Sequence, residues 1–257
     1  MTGQRALVLL RGLVREQRHW ELFPDFLRSH LPDDKILLFD FAGNGQRNKE
    51  VSATTIADMV EDVRSYVLKY SEGKPVYIVA LSLGAMVAVE WMNRYPQDCA
   101  GAVLISTSLR GLNPFYQRLL PSNYLTVLKS LVFSESTRQK EIRNLKLVSN
   151  IVANDLSRSA AVIDHWVEYA EQNPVSASNG FRQLMAAMRF NVPANKPEIP
   201  MLVLASNADH MVSPECSVTL AKHWDLPLET HDTSGHDIPL DDSRWVAEKI
   251  VKWLSKL

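Results

Sequence analysis

The sequence is poor in the features that mark secreted and membrane-spanning proteins. It has only two cysteines, Cys99 and Cys216, and neither lies in a C-x-x-C or Cys/His spacing typical of a metal site. Isolated thiols are typical of a reducing compartment, so we expect a cytoplasmic protein in which both cysteines fill space. No apolar run approaches a membrane span, and the five apolar residues of 6–10 are too few for a signal-peptide core.

An excess of charge is also lacking. The 28 basic and 29 acidic residues leave a formal charge of −1, so there is no electrostatic argument for a nucleic-acid partner or for an anionic membrane. No His, Asp or Glu pair has ligand spacing supported by a second pair, and no glycine-rich phosphate loop is complete. We therefore expect neither a metal nor a cofactor. The oligomeric state is not indicated.

Apolar runs alternate with helical stripes in the first 106 residues and again after residue 200. This order predicts an α/β fold with a mostly parallel sheet flanked by helices. The predicted strands are 6–10, 35–39, 76–80, 101–105, 201–205 and 228–231. The predicted helices of this part are 20–30, one starting after Thr54 or Thr55, 83–95, 214–223 and 243–257.

The alternation stops at Ser106 and resumes only near residue 198. Between them the sequence predicts helices over 124–133, 136–154, 159–172 and 176–190, with turn signals between them. We therefore expect an α/β core formed by 1–106 and 198–257, interrupted by a helical insertion over 107–197.

Three polar residues follow predicted strands in an order that suits acyl transfer. Ser82 comes first, Asp209 second and His236 third. A serine is too weakly acidic to attack unaided, so a histidine must accept its proton and an acid must orient that histidine. Ser82 alone has a simpler interpretation, because a serine at this position also serves as a helix cap.

The motifs around these residues resemble those of the α/β-hydrolase superfamily, whose nucleophile, acid and histidine occur in this order. Residues 80–84 (Ala-Leu-Ser-Leu-Gly) resemble its G-x-S-x-G nucleophile elbow. The other matches are 10–13 with Trp20 to the H-G loop, 40–45 to D-x-P-G-x-G, 209–214 to D-x-x-V-x-P and 235–237 to the G-H loop. Arg11 stands where the family usually has histidine, and Ala42 where it usually has proline.

The resemblance implies a serine hydrolase with a helical lid over 107–197. Ser82 would be the nucleophile, His236 the base and Asp209 the acid, with the backbone N–H groups of Leu13 and Leu83 binding the oxyanion. We expect cleavage of an ester-like bond in a small, largely apolar substrate. A thioesterase or a carbon–carbon bond hydrolase uses the same triad, and a non-catalytic receptor is the alternative from another class.

Some assignments stay open at this point. Asp232 and Asp237 compete with Asp209 as the acid, and His231 competes with His236 as the base. Trp166, Met185 and Met188 are candidates to line an adaptable apolar pocket, although such residues are more often ordinary packing.

Overall fold

The computed structural model describes residues 4–126 and 135–257, which contain one six-stranded sheet. Every neighbouring pair of strands is parallel, and the order across the sheet is β2-β1-β3-β4-β5-β6. The strands are β1 (Ala6–Leu10), β2 (Lys35–Phe39), β3 (Val76–Leu81), β4 (Cys99–Ile105), β5 (Met201–Ser206) and β6 (Leu228–His231). The predicted α/β class is therefore confirmed.

Helices cover both faces of the sheet, which explains why the central strands are apolar on both sides. One face packs against α2 (Ile56–Tyr70), α3 (Leu83–Arg94) and α9 (Glu215–Trp224). The other face packs against α1 (Phe23–His30) and α11 (Ser243–Leu254).

Helix α2 follows its sequence pattern closely. The hydroxyl of Thr55 accepts a hydrogen bond from the Asp58 amide (3.1 Å) and caps the first turn. Its predicted apolar stripe is buried throughout, and consists of Ile56, Met59, Val60, Val63 and Val67. Helix α1 is shorter than predicted. It begins at Phe23 because Pro24 suits only the first turn, and 17–20 form a separate 3₁₀ turn.

The described residues between β4 and β5 form helices joined by loops. The helices are α4 (Phe115–Arg118), α5 (Thr137–Val148), α6 (Ile151–Asn154), α7 (Leu156–Gln172) and α8 (Ala177–Arg189). Of the helix predicted over 124–133, residues 127–133 lie outside the described part of the chain. The helix predicted over 159–172 begins earlier, because Asp155 accepts from the amides of Ser157 and Arg158 and caps it.

The helix predicted over 136–154 is divided into two, and the reason lies outside the segment. The carboxylate of Asp241 accepts hydrogen bonds from Ser149 and from the amides of 150–152, so the chain restarts a helix there. Asp241 belongs to α10 (Ile238–Asp241), a short helix that the apolar pattern did not predict.

Buried polar contacts join helix α8 to the loops that follow β1 and β2. Gln183 of α8 is fully buried; its side-chain nitrogen donates to Asn44 (2.7 Å) and Ser52 (3.0 Å), and its oxygen accepts from the Val14 amide (2.9 Å). The division of the chain at 106 and 197 stays a prediction. No helix among residues 4–126 and 135–257 combines the length and the apolar character needed to cross a membrane.

Candidate active site

Ser82 occupies a strained turn between β3 and α3. Its backbone angles are φ 56° and ψ −112°, a conformation that non-glycine residues rarely adopt and that costs about 1–3 kcal/mol. The surrounding strands hold this turn, since the Ser82 amide donates to the Ile105 carbonyl (2.9 Å) and Thr107 Oγ1 donates to the Ser82 carbonyl (3.1 Å). Such a turn lifts a serine above the end of a sheet, which a simple helix cap does not require.

The loop after β1 lies directly against this turn. A Cβ atom added at Gly12 would lie 3.4 Å from Ser82 Cβ, and one added at Gly84 would lie 2.4 Å from the Leu10 carbonyl oxygen. A side chain at position 84 would therefore push α3 away from β1, which explains the small residue in the motif.

Asp209 and His236 form a buried pair at the ends of β5 and β6. Asp209 Oδ2 lies 2.7 Å from His236 Nδ1, and the two side chains are 4% and 5% exposed. The other carboxylate oxygen of Asp209 accepts from the amides of Met211 (2.8 Å) and Val212 (3.0 Å), which fixes its orientation. Because a carboxylate only accepts, His236 Nδ1 carries the proton and Nε2 has the free lone pair.

This environment changes the acidity of the His236 ring. Burial alone would lower its pKa, but the charge and hydrogen bond of Asp209, with the charge of Asp237, outweigh burial and raise the pKa above its ordinary value. His236 Nε2 is buried and has no hydrogen-bond partner within the described residues. A buried acceptor without a partner is costly, and in a base it is the atom that receives a proton.

Ser82 and His236 are not hydrogen-bonded to each other. The Ser82 hydroxyl makes no hydrogen bond with any described residue. In enzymes without substrate, catalytic hydrogen bonds are often long and form only when substrate binds. The structure thus brings together the acid and the histidine, and leaves the serine hydroxyl without a partner beside Gly12.

The two expected oxyanion donors belong to the two segments next to this serine. Leu83 is the first residue of α3, and Leu13 follows Gly12 in the adjacent loop. Within the described ranges, neither the Leu13 nor the Leu83 amide donates a hydrogen bond to a protein group. Free amides at a helix N-terminus can stabilise a developing negative charge. Their role as an oxyanion hole stays a prediction.

Arg11 explains one departure from the family motif. Its Nη2 lies 2.6 Å from Asp237 Oδ2, both side chains are almost fully buried, and its guanidinium lies over the ring of Trp20 (4.7 Å). Sequence reasoning missed this pair. A signal existed, because a cation directly after a buried strand needs an acidic partner, and Asp237 adjoins the candidate histidine.

The competing residues have other partners. Asp237 binds Arg11, and Asp232 accepts from Asn207 (3.1 Å). His231 lies 3.4 Å from Asp242 and accepts from the amides of 233 and 234. Of these candidates, only Asp209 and His236 are bonded to each other.

The three candidate pocket residues lie in different environments. Trp166 is fully buried, donates to Glu21 (3.0 Å) and packs under the guanidinium of Arg15 (4.1 Å), which favours packing over pocket lining. Met188 is 55% exposed, and Met185 is partly buried. A pocket role for these residues stays a prediction.

The two cysteines do not provide a second nucleophile. Burial raises the pKa of both Cys99 and Cys216 to about 12, so neither thiol is an activated nucleophile. In the part of the chain that the structure describes, no group of three or more His, Cys, Asp or Glu residues could hold a metal ion.

Comparison with known proteins agrees with this geometry. A family model described as serine aminopeptidase, S33, matches residues 19–242. A segment of 121 residues is 30% identical to methyl jasmonate esterase 1 of Vitis vinifera, and it covers 45% of this chain and 46% of that protein. The chain therefore aligns with less than half the length of this relative.

Two further similarities extend over almost the whole chain. Monoacylglycerol lipase ABHD6 of Mus musculus is 21% identical over 98% of this chain and 76% of its own length. The structure of a thermophilic esterase from Thermogutta terrifontis superposes with a TM-score of 0.76 at 18% identity, over 99% of this chain and 91% of that one. The family match, the parallel sheet and the strained serine turn together identify the chain as a member of the α/β-hydrolase superfamily, and as a hydrolase enzyme of the group described as serine aminopeptidase, S33.

Proposed function

We propose that the protein hydrolyses a carboxylic ester of a small, largely apolar substrate through Ser82, His236 and Asp209. The observation that carries this proposal is the 2.7 Å contact between Asp209 and His236 Nδ1, which leaves a buried, unpartnered Nε2. Two relatives add support, since one is named as an esterase and one as a lipase.

The reaction has two halves. His236 Nε2 accepts the Ser82 proton as Ser82 Oγ attacks the ester carbonyl, and the Leu13 and Leu83 amides bind the oxyanion. The imidazolium, stabilised by Asp209, then donates its proton to the leaving alkoxide, which departs as an alcohol. Water, deprotonated by the same histidine, attacks the acyl-enzyme and releases the acid with Ser82 regenerated.

Hydrolysis of p-nitrophenyl acetate and butyrate tests the proposal. We expect the wild type to turn over both esters and Ser82→Ala to lose this activity, because the proposed reaction begins with attack by the Ser82 hydroxyl. Ser71→Ala is the control, since Ser71 is also buried but follows α2, away from the strand ends. Full esterase activity in folded Ser82→Ala would contradict the proposal. Loss of esterase activity in folded Ser71→Ala would contradict it as well.

A substrate panel separates ester hydrolysis from its nearest alternatives. Thioesters and carbon–carbon substrates use the same triad, so the triad alone does not choose between them. Acyl esters and thioesters with matched acyl chains of graded length should show the highest kcat/KM for short oxoesters. A preference for thioesters would favour the alternative. Saturable binding of esters without turnover would favour the receptor.

We also propose that the insertion over 107–197 covers the site as a lid and that the protein is cytoplasmic. The first proposal rests on the helices between β4 and β5, which contact the loop that carries His236. The second rests on two free, buried cysteines. Fractionation of cells that express the tagged protein tests the location.

A further inference from the structure

Asp241 is a buried carboxylate that receives hydrogen bonds from two separate parts of the chain. Asp241 is the last residue of α10, and it is 4% exposed. One part is the loop before His236, where the Gly235 amide donates at 2.7 Å. The other is the junction between α5 and α6, whose donors are the Ser149 hydroxyl and the amides of Asn150 (3.0 Å), Ile151 (3.2 Å) and Val152 (3.0 Å).

The peptide group on the other side of His236 is held by the same junction. The Asp237 amide donates to the Val148 carbonyl at 2.8 Å. The contact at Gly235 is equally close, because a Cβ atom there would lie 2.5 Å from the Val148 carbonyl oxygen and 2.9 Å from Ser149 Cα. The residues before and after His236 are therefore both packed against 148–149.

Capping of α6 accounts for only some of these bonds. A carboxylate at a helix N-terminus accepts amides of the first turn, as Asp241 does at Ile151 and Val152. The Gly235 amide belongs to no helix, yet it makes the shortest amide bond to this carboxylate. Its position directly before His236 gives Asp241 a second role, which a cap does not need.

We propose that Asp241 is a positioning residue for His236: with the 148–152 junction of the insertion, it holds the peptide groups around that histidine so that Nε2 faces Ser82. This inference rests on the proposed function for its kinetic consequence. The junction is then a fixed part of the site, and any opening of the insertion takes place away from 148–152.

Asp241→Asn tests the role directly. An amide nitrogen replaces one acceptor oxygen and faces donors. In place of Oδ2 it leaves the amides of Gly235 and Asn150 without an acceptor, and in place of Oδ1 it leaves the Ser149 hydroxyl and the amides of 151 and 152 without one. Misplacement by about 1 Å can lower a rate by about a hundredfold, and for this partial loss we expect a fall in kcat of roughly ten- to a hundredfold with KM nearly unchanged. The labelling rate with a fluorophosphonate should fall equally. Asp98→Asn is the control, because Asp98 is also a buried carboxylate, bonded to Arg64 and Trp91 away from this loop.

A second variant and a second measurement keep the test independent of folding and of the reaction. Gly235→Ala retains Asp241 but forces the loop and the junction apart, so the same fall in kcat is expected. Hydrogen exchange of the 235–237 amides should become faster in both variants relative to wild type and to Asp98→Asn. Unchanged exchange and unchanged kcat in either folded variant would overturn the proposal. If exchange at these amides is faster in the two variants but the wild type never reacts with the fluorophosphonate, the proposed function is contradicted and the positioning role is supported.

Discussion

Arg11 and Asp237 lie 226 positions apart in sequence and form a buried ion pair with an Nη2–Oδ2 distance of 2.6 Å. Arg11 adjoins the loop that carries Leu13, and Asp237 adjoins His236. The pair therefore connects the loop expected to bind the oxyanion with the loop that carries the proposed base. Both charges act on the ring, since Asp237 raises the pKa of His236 and Arg11 lowers it.

Arg11→Ala should strongly destabilise the protein. It leaves the Asp237 carboxylate buried without its cation, which typically costs about 3–5 kcal/mol. Urea unfolding measures the change in the free energy of unfolding. Arg28→Ala is the control, because the Arg28–Asp25 pair is exposed and such pairs contribute about 0–1 kcal/mol. Adding Asp237→Asn to Arg11→Ala should restore part of the loss, and strictly additive losses would contradict the coupling.

His19 should make the protein sensitive to acid. Burial, and then the charges of Arg15 and Arg11, lower its pKa well below the ordinary value of about 6.5. The folded protein therefore binds a proton less readily than the unfolded chain. The resulting stability is complete above the ordinary pKa and is lost as pH falls below it toward the lowered value.

His19→Gln tests this dependence. The glutamine oxygen can still accept from Arg15, whose Nη1 lies 2.9 Å from His19 Nε2, but it does not titrate. The difference in the free energy of unfolding between pH 7.5 and pH 5.5 should be smaller in this variant than in wild type. His223→Gln replaces an exposed histidine and should keep the full difference. An unchanged slope in His19→Gln would contradict the assignment.

Asp209→Asn should retain the fold and lower ester turnover by roughly 10³–10⁴-fold, because the amide no longer orients and stabilises the His236 ring as a carboxylate does. The raised pKa of His236 places the acid limb of kcat/KM above pH 6.5 in the wild type, since the base must be neutral. Without the charge of Asp209, burial dominates and the limb of the residual activity should move to lower pH.

The same histidine affects stability in the opposite direction. Because its pKa is raised in the folded state, its contribution to stability is complete below the ordinary value and is lost as pH rises through the raised value. Asp232→Asn is the control for both effects, since Asp232 bonds to Asn207 and not to His236. Undiminished turnover in Asp209→Asn would show that the acid is wrongly assigned.

Gln183→Ala should weaken both the fold and the proposed reaction. The variant removes the partner of the Val14 amide and two bonds to Asn44 and Ser52, and buried groups left unpaired cost about 1–3 kcal/mol each. Val14 follows Leu13 and has a φ of 52°, so losing Gln183 should relax the loop that carries the Leu13 amide. Thermal unfolding and kcat measure the two effects. Gln172→Ala, at an exposed position, should change neither by much.

The sequence predicted what local pattern determines. Strands such as β3 and β5 are almost entirely apolar because helices cover both faces, and the stripe of α2 has a helical period, so the fold class and the type of each element could be predicted. The order of the strands across the sheet could not be predicted, because no local pattern encodes which strands are neighbours. The break at Ser149 was missed because its cause, Asp241, lies 92 positions away.

The candidate site was predictable in part for the same reason. Ser82, Asp209 and His236 each follow a strand in a recognisable motif, but their bonds to one another depend on tertiary structure. The partners that hold them, Arg11 with Asp237 and Asp241 with Gly235, join residues that no periodicity relates. Sequence reasoning could name such residues as charged, but not pair them.

The most direct test of the central claim is reaction with a fluorophosphonate, which bonds covalently to an activated serine. Intact mass spectrometry should show one adduct on the wild type, and peptide mapping should place it on Ser82. Labelling should vanish in Ser82→Ala and persist in Ser71→Ala. Folded wild type that remains unlabelled, or an adduct on another serine, would contradict the assignment of Ser82 as the nucleophile.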